Sequence, residues 1–308
     1  MLNMPAGRGE GNPAMRVPFR LLRFILGHEL AGRHRLAALG RLLRWQVGAR
    51  LSGLPMVAPL VGSTRLVLRR GLSSATAAWY VGLTDFREMG FALHLLRPGD
   101  LMADVGANVG VYAVLAAGVA GAEVVAVEPA AATLPALGEN IRLNDLAQRI
   151  AVLPVAIGER PGRLPMTAGR GAANRLLLAG EAAPGVEVEV TTLDAVFAGR
   201  TPLLLKLDVE GFEARVLAGA TRLLADPALR ALIVETAGHG ARYGDGPETL
   251  DGMLRRCGFA PFDYDPRGRA LSPRAGPGAP NTLYLRDAAF CAARVADAPE
   301  FGVFGERF

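Results

Sequence analysis

The stretch from Asp100 to Pro129 constrains this chain more than any other. Leu101 to Val105 is a short apolar run with Asp104 near its end. Gly106 and Gly110 bracket a turn, Val109 to Val119 continues as a small-residue helix, and Val124 to Val127 is a second apolar run that stops at Glu128. This is one βαβ unit. Two parallel strands joined through a helix demand a sheet covered on both faces. The unit also puts carboxylates at the carboxyl ends of both strands, where open parallel sheets bind ligands.

The chemistry of the unit follows from its residues. Gly106 permits a chain reversal that a Cβ would block and lets the backbone approach a ligand. The free N–H groups of the following helix suit a carboxylate or phosphate. Glu128 falls roughly 20 residues past the turn, the spacing at which an acid reaches a ribose diol. The turn reads Asp-x-Gly-x-Asn-x-Gly. Asp104 there repels a pyrophosphate and attracts an ammonium or sulfonium, so S-adenosyl-L-methionine fits and NAD does not. Asp104 is expected to hold the methionine ammonium and Glu128 the ribose. Gly106, Ala107, Asn108 and Gly110 shape the turn, with Pro129 and Ala156 completing the cofactor contacts.

Composition narrows the class. With 308 residues and 51% hydrophobic content the chain is long enough for one large core. Of the 34 basic residues only Lys206 is a lysine. Residues 16–50 hold eight arginines and a single acid, Glu29. Two distant cysteines, Cys257 and Cys291, argue against a disulfide framework and for a reducing, cytoplasmic compartment. No apolar run reaches the ~18 to 20 residues of a membrane span. The first fifteen residues are Gly- and Pro-rich, read as a disordered tail, and lack a signal peptide's apolar core.

Residues 16–62 read as a basic helical extension and connector. Leu21, Leu22, Phe24, Ile25 and Leu26, then Leu36, Leu39, Leu42 and Leu43, recur at helical spacing. A helical extension packed on the domain with a solvated arginine face is one reading, and peripheral contact of residues 16–50 with an anionic membrane is the other. No aromatic stacking surface accompanies the arginines, so no nucleic-acid partner is expected. Residues 63–290 form the main domain and 291–308 a C-terminal tail. Thr84 is the expected N-cap of a helix to Leu96. Strands are expected at Ile150 to Ile157, Leu203 to Val209, Ala231 to Thr236, Phe259 to Tyr264 and Thr282 to Arg286. A helix is expected from Phe212 to Leu224. A hairpin-like excursion spans 158–185, and Arg267 to Pro280 reads as a mobile hairpin loop. The fold class is α/β: a doubly wound, Rossmann-like, seven-stranded mostly parallel sheet with an α-helical N-terminal extension.

The second informative segment is Leu203 to Glu213. Lys206 and Asp208 share strand parity and leave one face. A buried lysine needs a partner, and Asp208 or Glu235 could supply it. Asp208 and Glu210 fall at the strand's carboxyl end, beside the cofactor crevice.

Taken together, Asp104-Val-Gly-Ala-Asn-Val-Gly110, Val-Glu128-Pro129, Thr192-Leu-Asp194 and Lys206-Leu-Asp-Val-Glu-Gly-Phe-Glu213 resemble the FkbM-type methyltransferases, as does Tyr80 to Asp100. The resemblance spans roughly residues 65–286. It implies a class I S-adenosylmethionine-dependent fold and, most often, O-methylation of a sugar or polyketide hydroxyl. Members act on lipopolysaccharide and exopolysaccharide sugars, nodulation factors and macrolides. The first 60 residues and the 158–185 excursion fall outside the family pattern and are candidates for substrate choice.

An alcohol acceptor must lose a proton as it attacks the sulfonium methyl. By position the candidate bases are Asp208, Glu210, Glu235 and His239, with Lys206 joining them as a candidate catalytic residue. Adjacent Asp208 and Glu210 are weak grounds for a divalent metal, and no metal ligand is assigned. The partner is a small-molecule or glycan acceptor. N- or C-methylation on the same fold, and a non-catalytic membrane-associated scaffold, remain the rival readings. Nothing in the sequence sets the oligomeric state.

Overall fold

The structure, a computed structural model, describes residues 19–169, 171–178, 181 and 183–308. The expected disordered stretch 1–15 lies outside them. Two helices come first, α1 (Phe19–Gly27) and α2 (Arg35–Leu51), then a hairpin of β1 (Met56–Pro59) and β2 (Arg65–Leu68). Next are α3 (Ser73–Val81) and α4 (Phe86–Leu95). The alternating core begins with β3 (Leu101–Val105), α5 (Val111–Gly118), β4 (Glu123–Val127), α6 (Leu134–Leu143) and β5 (Ile150–Leu153). An excursion carries β6 (Ala156–Ile157), β7 (Gly162–Thr167) and β8 (Gly185–Thr191), which pair as their own three-stranded sheet. The chain returns through α7 (Leu193–Val196), β9 (Leu204–Leu207), α8 (Glu213–Ala218), α9 (Thr221–Ala225), β10 (Ala231–Glu235) and α10 (Pro247–Arg256). It closes with β11 (Ala260–Asp265), β12 (Ala270–Pro273), β13 (Asn281–Leu285), α11 (Ala288–Ala296) and the small hairpin β14 (Gly302–Val303) and β15 (Glu306–Arg307).

The main sheet runs β12-β11-β13-β10-β9-β3-β4-β5. Its five strands from β10 to β5 pair in parallel, and β13 inserts antiparallel to β10. Strand parity sorts the core into two layers. Met102, Val124, Leu204 and Ile233 face the side covered by α3 to α6 and the N-terminal helices. Leu101, Ala103, Val105, Leu205, Leu207 and Val234 face α7 to α10 and the excursion. From β3 the chain winds outward through β4 and β5, then returns to β9 on the other side. The β3–β9 boundary is therefore the topological switch point, where such sheets open a crevice.

The seven expected strands are present, and an eighth, β12, joins the edge. It arises inside Arg267 to Pro280, where Gly and Pro point to a hairpin loop; the hairpin is there, and the register Phe262↔Pro273 to Asp265↔Ala270 adds a strand paired with β11. Pro154 ends the third core strand early, and Ala156–Ile157 pairs with β8 rather than with the main sheet. The helix expected from Phe212 to Leu224 breaks at Gly219 and Ala220 into α8 and α9. Thr84 does not cap α4: Asp85 holds that position without a cap hydrogen bond, and the Thr84 hydroxyl faces the Met89 sulfur.

The stretch after Asp287 is folded rather than a tail. Asp287 caps α11 by accepting the Phe290 N–H, and Arg294 pairs with Asp100. Phe301 and Phe308 pack on the buried His94 ring. The N-terminal extension is docked as well. Arg41 on α2 donates to the Tyr80 carbonyl and lies 3.7 Å from the Phe304 ring centroid. Leu21, Ile25, Leu42 and Trp45 are buried, but Leu36 and Leu43 point outward, so α2 turns a different face inward than their spacing suggested.

Candidate active site

Four strand ends converge at the switch point: Val105–Gly106 after β3, Val127–Glu128 after β4, Leu207–Asp208 after β9 and Glu235 at the end of β10. Gly106 has φ 80°, and a Cβ there would overlap the Asp208 carbonyl oxygen. Only glycine lets the two loops pack this closely. Asn108 adopts the left-handed region at φ 52° and its Oδ1 accepts the Val109 N–H at 2.8 Å. The buried Asn140, unmarked by any sequence signal, donates to the Val109 carbonyl and accepts the Val67 N–H, each at 2.8 Å. It pins the turn to β2.

Glu128 lies under this turn. Its carboxylate accepts the Asn108 N–H at 2.9 Å and the Ala130 N–H at 2.8 Å. Burial raises its pKa, and those two N–H groups partly offset the rise. An ionised carboxylate has about four acceptor sites, so capacity for a diol remains. Glu128, Gly106, Asn108, Pro129, Ala156 and Asp208 all line one narrow cleft, with Gly171 to Leu176 of the excursion on its far wall. The cleft measures about 60 Å³. Small-molecule sites span roughly 300–1,000 Å³, so the cleft as it stands is smaller than a nucleoside needs. Ala107 is buried and lies outside that lining.

Asp104 is fully buried at the end of β3 and lines neither cleft. It faces Lys206, with Nζ 3.8 Å from Asp104 Oδ1. Lys206 is itself buried. It pairs with Asp208 at 3.1 Å, not with Glu235, and donates to the Gly106 carbonyl at 3.3 Å. Burial works against its charge, but Asp208 and Asp104 outweigh it and the net shift is upward. Lys206 is thus held as a cation that ties the glycine turn to β9.

Beyond Asp208 the chain turns through Glu210, a non-glycine residue at φ 57°. Glu213 holds that turn by accepting the Val209 and Gly211 N–H groups at 2.9 and 3.1 Å. Glu210 lines both the narrow cleft and a much larger groove of about 1260 Å³. His239 lines the groove too. Its Nδ1 lies 3.5 Å from Glu210 and 3.4 Å from Glu235. Burial, then Asp208, pushes Glu210 up to about 7. Burial, then Asp208 and Glu213, pushes Glu235 up to about 9. Burial and Arg242 lower His239. The structure therefore brings Asp208, Glu210, Glu235 and His239 together.

The groove also exposes residues the sequence reading missed. Asp85 and Glu88, at the start of α4, line it together with Glu210. Burial raises both, Glu88 to about 7. Nothing in the local sequence distinguishes them from ordinary helix-start acids. The outer wall comes from the N-terminal extension, with Arg20, Arg23, Phe24 and Trp45, and its rim adds Arg69, Arg70, Arg87 and Arg274. Arg69, Arg87 and Arg274 pair with Glu139, Glu29 and Asp263. Arg20, Arg23 and Arg70 make no ion pair among the described residues.

Comparison with known proteins places this arrangement. A sequence model described as the Methyltransferase FkbM domain matches residues 104–261, about half the chain. No curated protein matches. Among solved structures, a methyltransferase FkbM from Methylobacillus flagellatus KT aligns at 18% identity and TM-score 0.42, covering 71% of this chain and 56% of that one. The chain thus spans little more than half the length of that protein. The C-terminal domain of precorrin-6Y C5,15-methyltransferase from Rhodobacter capsulatus aligns at 17% identity and TM-score 0.37, covering 66% and 87% of the two chains. An rRNA methylase from Streptococcus thermophilus aligns at 12% identity and TM-score 0.37, covering 64% and 91%.

Proposed function

The chain belongs to the FkbM methyltransferase family, and from that premise we propose that it transfers the methyl group of S-adenosylmethionine to a hydroxyl of an anionic sugar, glycan or polyketide-type natural product. The observation that carries this reading is the meeting of two clefts at Glu210. The narrow one has Glu128, the acid this reading assigns to the ribose, and the glycine turn; the wide one has room for a sugar chain. Asp208 and Glu210 line the junction and Asp85 the groove beside it, and carboxylate oxygens there favour a sulfonium. S-adenosylmethionine supplies an activated methyl when bound. The chain's own part is to hold the ribose on Glu128, seat the acceptor in the groove, and take its proton. His239 and Glu210 are the bases within reach of the groove. Arg20, Arg23 and Arg70 favour an acceptor that carries phosphate or carboxylate groups.

Calorimetry with S-adenosylhomocysteine tests this directly. Wild type is expected to bind one equivalent, and Glu128→Ala to bind at least tenfold more weakly, about 1.4 kcal/mol. A folded wild type that ignores the ligand would sink the proposal.

A second reading, peripheral contact with an anionic membrane, draws on one further observation. No helix among the described residues is long and apolar enough to cross a membrane. Along α2, however, Leu36, Leu43, Val47 and Leu51 are exposed in a stripe, at 87%, 51%, 39% and 83%, with Arg44 and Arg50 beside them. That pattern suits a helix lying in a lipid interface. Sedimentation with phosphatidylserine vesicles checks it. Leu43→Glu with Val47→Glu should abolish binding, and a wild type that stays in the supernatant removes the idea.

A further inference from the structure

We propose that Glu210, Glu235 and His239 form a binding site for one divalent first-row cation at the floor of the groove. The three come from two loops that the fold forces together: Glu210 follows β9, Glu235 ends β10, and His239 lies one short turn beyond it. One donor atom from each lies within 4.8 Å of the other two. The imidazole Nδ1 sits 3.5 Å from Glu210 Oε2 and 3.4 Å from Glu235 Oε1. Those spacings match the roughly 3.0–3.4 Å edges of a tetrahedral or octahedral ligand set with bonds of about 2.1 Å.

A second observation points to a missing cation. Glu235 is only 4% exposed, and its Oε2 has no hydrogen-bond partner; His239 Nδ1 has none either. A buried carboxylate without a full complement of donors is costly. Lys206 does not serve it, being committed to Asp208, Asp104 and the Gly106 carbonyl. Two carboxylates with no lysine or arginine paired to them among the described residues, closed by an imidazole, are a donor set rather than an ion pair.

The donors select the ion. Two hard carboxylates and one borderline nitrogen, with no thiolate, suit Mn²⁺ and its first-row neighbours. Mg²⁺ prefers oxygen alone. Three protein ligands leave coordination positions open, and Glu210 and His239 both face the groove. The cation would therefore present those positions to acceptor oxygens. Its place beside an acceptor rests on the reading of the groove given above, where it would polarise the hydroxyl in place of Glu210 and His239 acting as free bases; its binding does not depend on that reading.

Electron paramagnetic resonance of Mn²⁺ titrated into chelator-treated full-length protein tests the site without any turnover. One saturable equivalent is expected, with affinity reduced at least tenfold by Glu235→Gln and by His239→Ala. Circular dichroism melts establish that each variant is folded. Should Glu235→Gln fail to fold, His239→Ala, on a half-exposed loop, carries the test. A folded wild type that leaves Mn²⁺ free up to about 1 mM, the weak end of biological divalent sites, overturns the proposal, as does binding that survives His239→Ala unchanged. S-adenosylhomocysteine binding, measured on the same samples, separates the two outcomes: retained cofactor binding with no Mn²⁺ uptake removes the cation site alone.

Discussion

Asp104 and Lys206 stand opposite each other in register on β3 and β9, with Lys206 Nζ 3.8 Å from Asp104 Oδ1 and 3.1 Å from Asp208 Oδ2. The sole lysine of the chain is thus the counter-ion of two acids at the switch point and the tether of the Gly106 carbonyl. Lys206→Met keeps the volume and removes the charge. It leaves two buried acids uncompensated, which should lower the unfolding free energy by about 3–5 kcal/mol in urea titrations. If Lys206→Met unfolds at the wild-type midpoint, the lysine is not the keystone of this network.

The glycine turn makes a contrast that two variants expose. An added Cβ at Gly106 meets backbone, the Asp208 carbonyl, which cannot move without parting β3 from β9. At Gly110 it meets only the tip of the Leu137 side chain, which can swing aside. Both glycines have φ above +80° or at it, costing a new side chain roughly 1–2 kcal/mol. Gly106→Ala should therefore lose S-adenosylhomocysteine binding, whereas Gly110→Ala should keep measurable binding with a modestly lower melting temperature. Equal behaviour of the two in calorimetry would contradict the close loop packing.

A pH dependence follows from His94. Its ring is fully buried among Tyr264, Phe301 and Phe308, and Nδ1 lies 2.6 Å from the Tyr264 hydroxyl. Burial lowers its pKa to about 4. The unfolded chain binds a proton near 6.5 and the folded one does not until about 4. Stability is full above 6.5 and falls as pH drops toward 4, by on the order of 3 kcal/mol. His94→Phe should flatten that part of the denaturation midpoint against pH. An unchanged slope in the variant would assign the acid sensitivity elsewhere.

How much of this was legible in the sequence depends on the range of the interaction. The βαβ unit, the placement of Glu128 beside the turn and the shared face of Lys206 and Asp208 are local, set by strand parity and glycine spacing. They were readable. The placing of Asp104 beside Lys206 was not, because the pairing of β3 with β9 joins strands distant in sequence. Asp85, Glu88 and Asn140 reach the site from other elements of the chain, and no periodicity encodes such contacts. The arginines of α1 were visible as a basic cluster, but only the folding of α1 and α2 onto α3 makes them a wall of the groove. Gly and Pro in residues 267–280 signalled a turn correctly and concealed the β12 strand beside it.

That wall leads to the last expectation. Arg23 on α1 and Arg70 after β2 flank the groove mouth, both exposed and unpaired among the described residues, far enough from Glu128 to leave the cofactor cleft untouched. Their charge acts on an incoming acceptor through solvent, so its effect is moderate and weakens with salt. In a competition between a disaccharide bearing a uronic acid and its neutral, carboxyl-reduced counterpart, wild type should prefer the anion. The double reversal Arg23→Glu and Arg70→Glu should remove that preference, raising KM for the anion about tenfold while leaving kcat and S-adenosylhomocysteine affinity in place, the signature of lost uniform binding. Raising the ionic strength should mimic the reversal in wild type and do little in the variant. A wild type indifferent to the carboxylate, at low salt, would show that the arginine rim does not select the acceptor's charge.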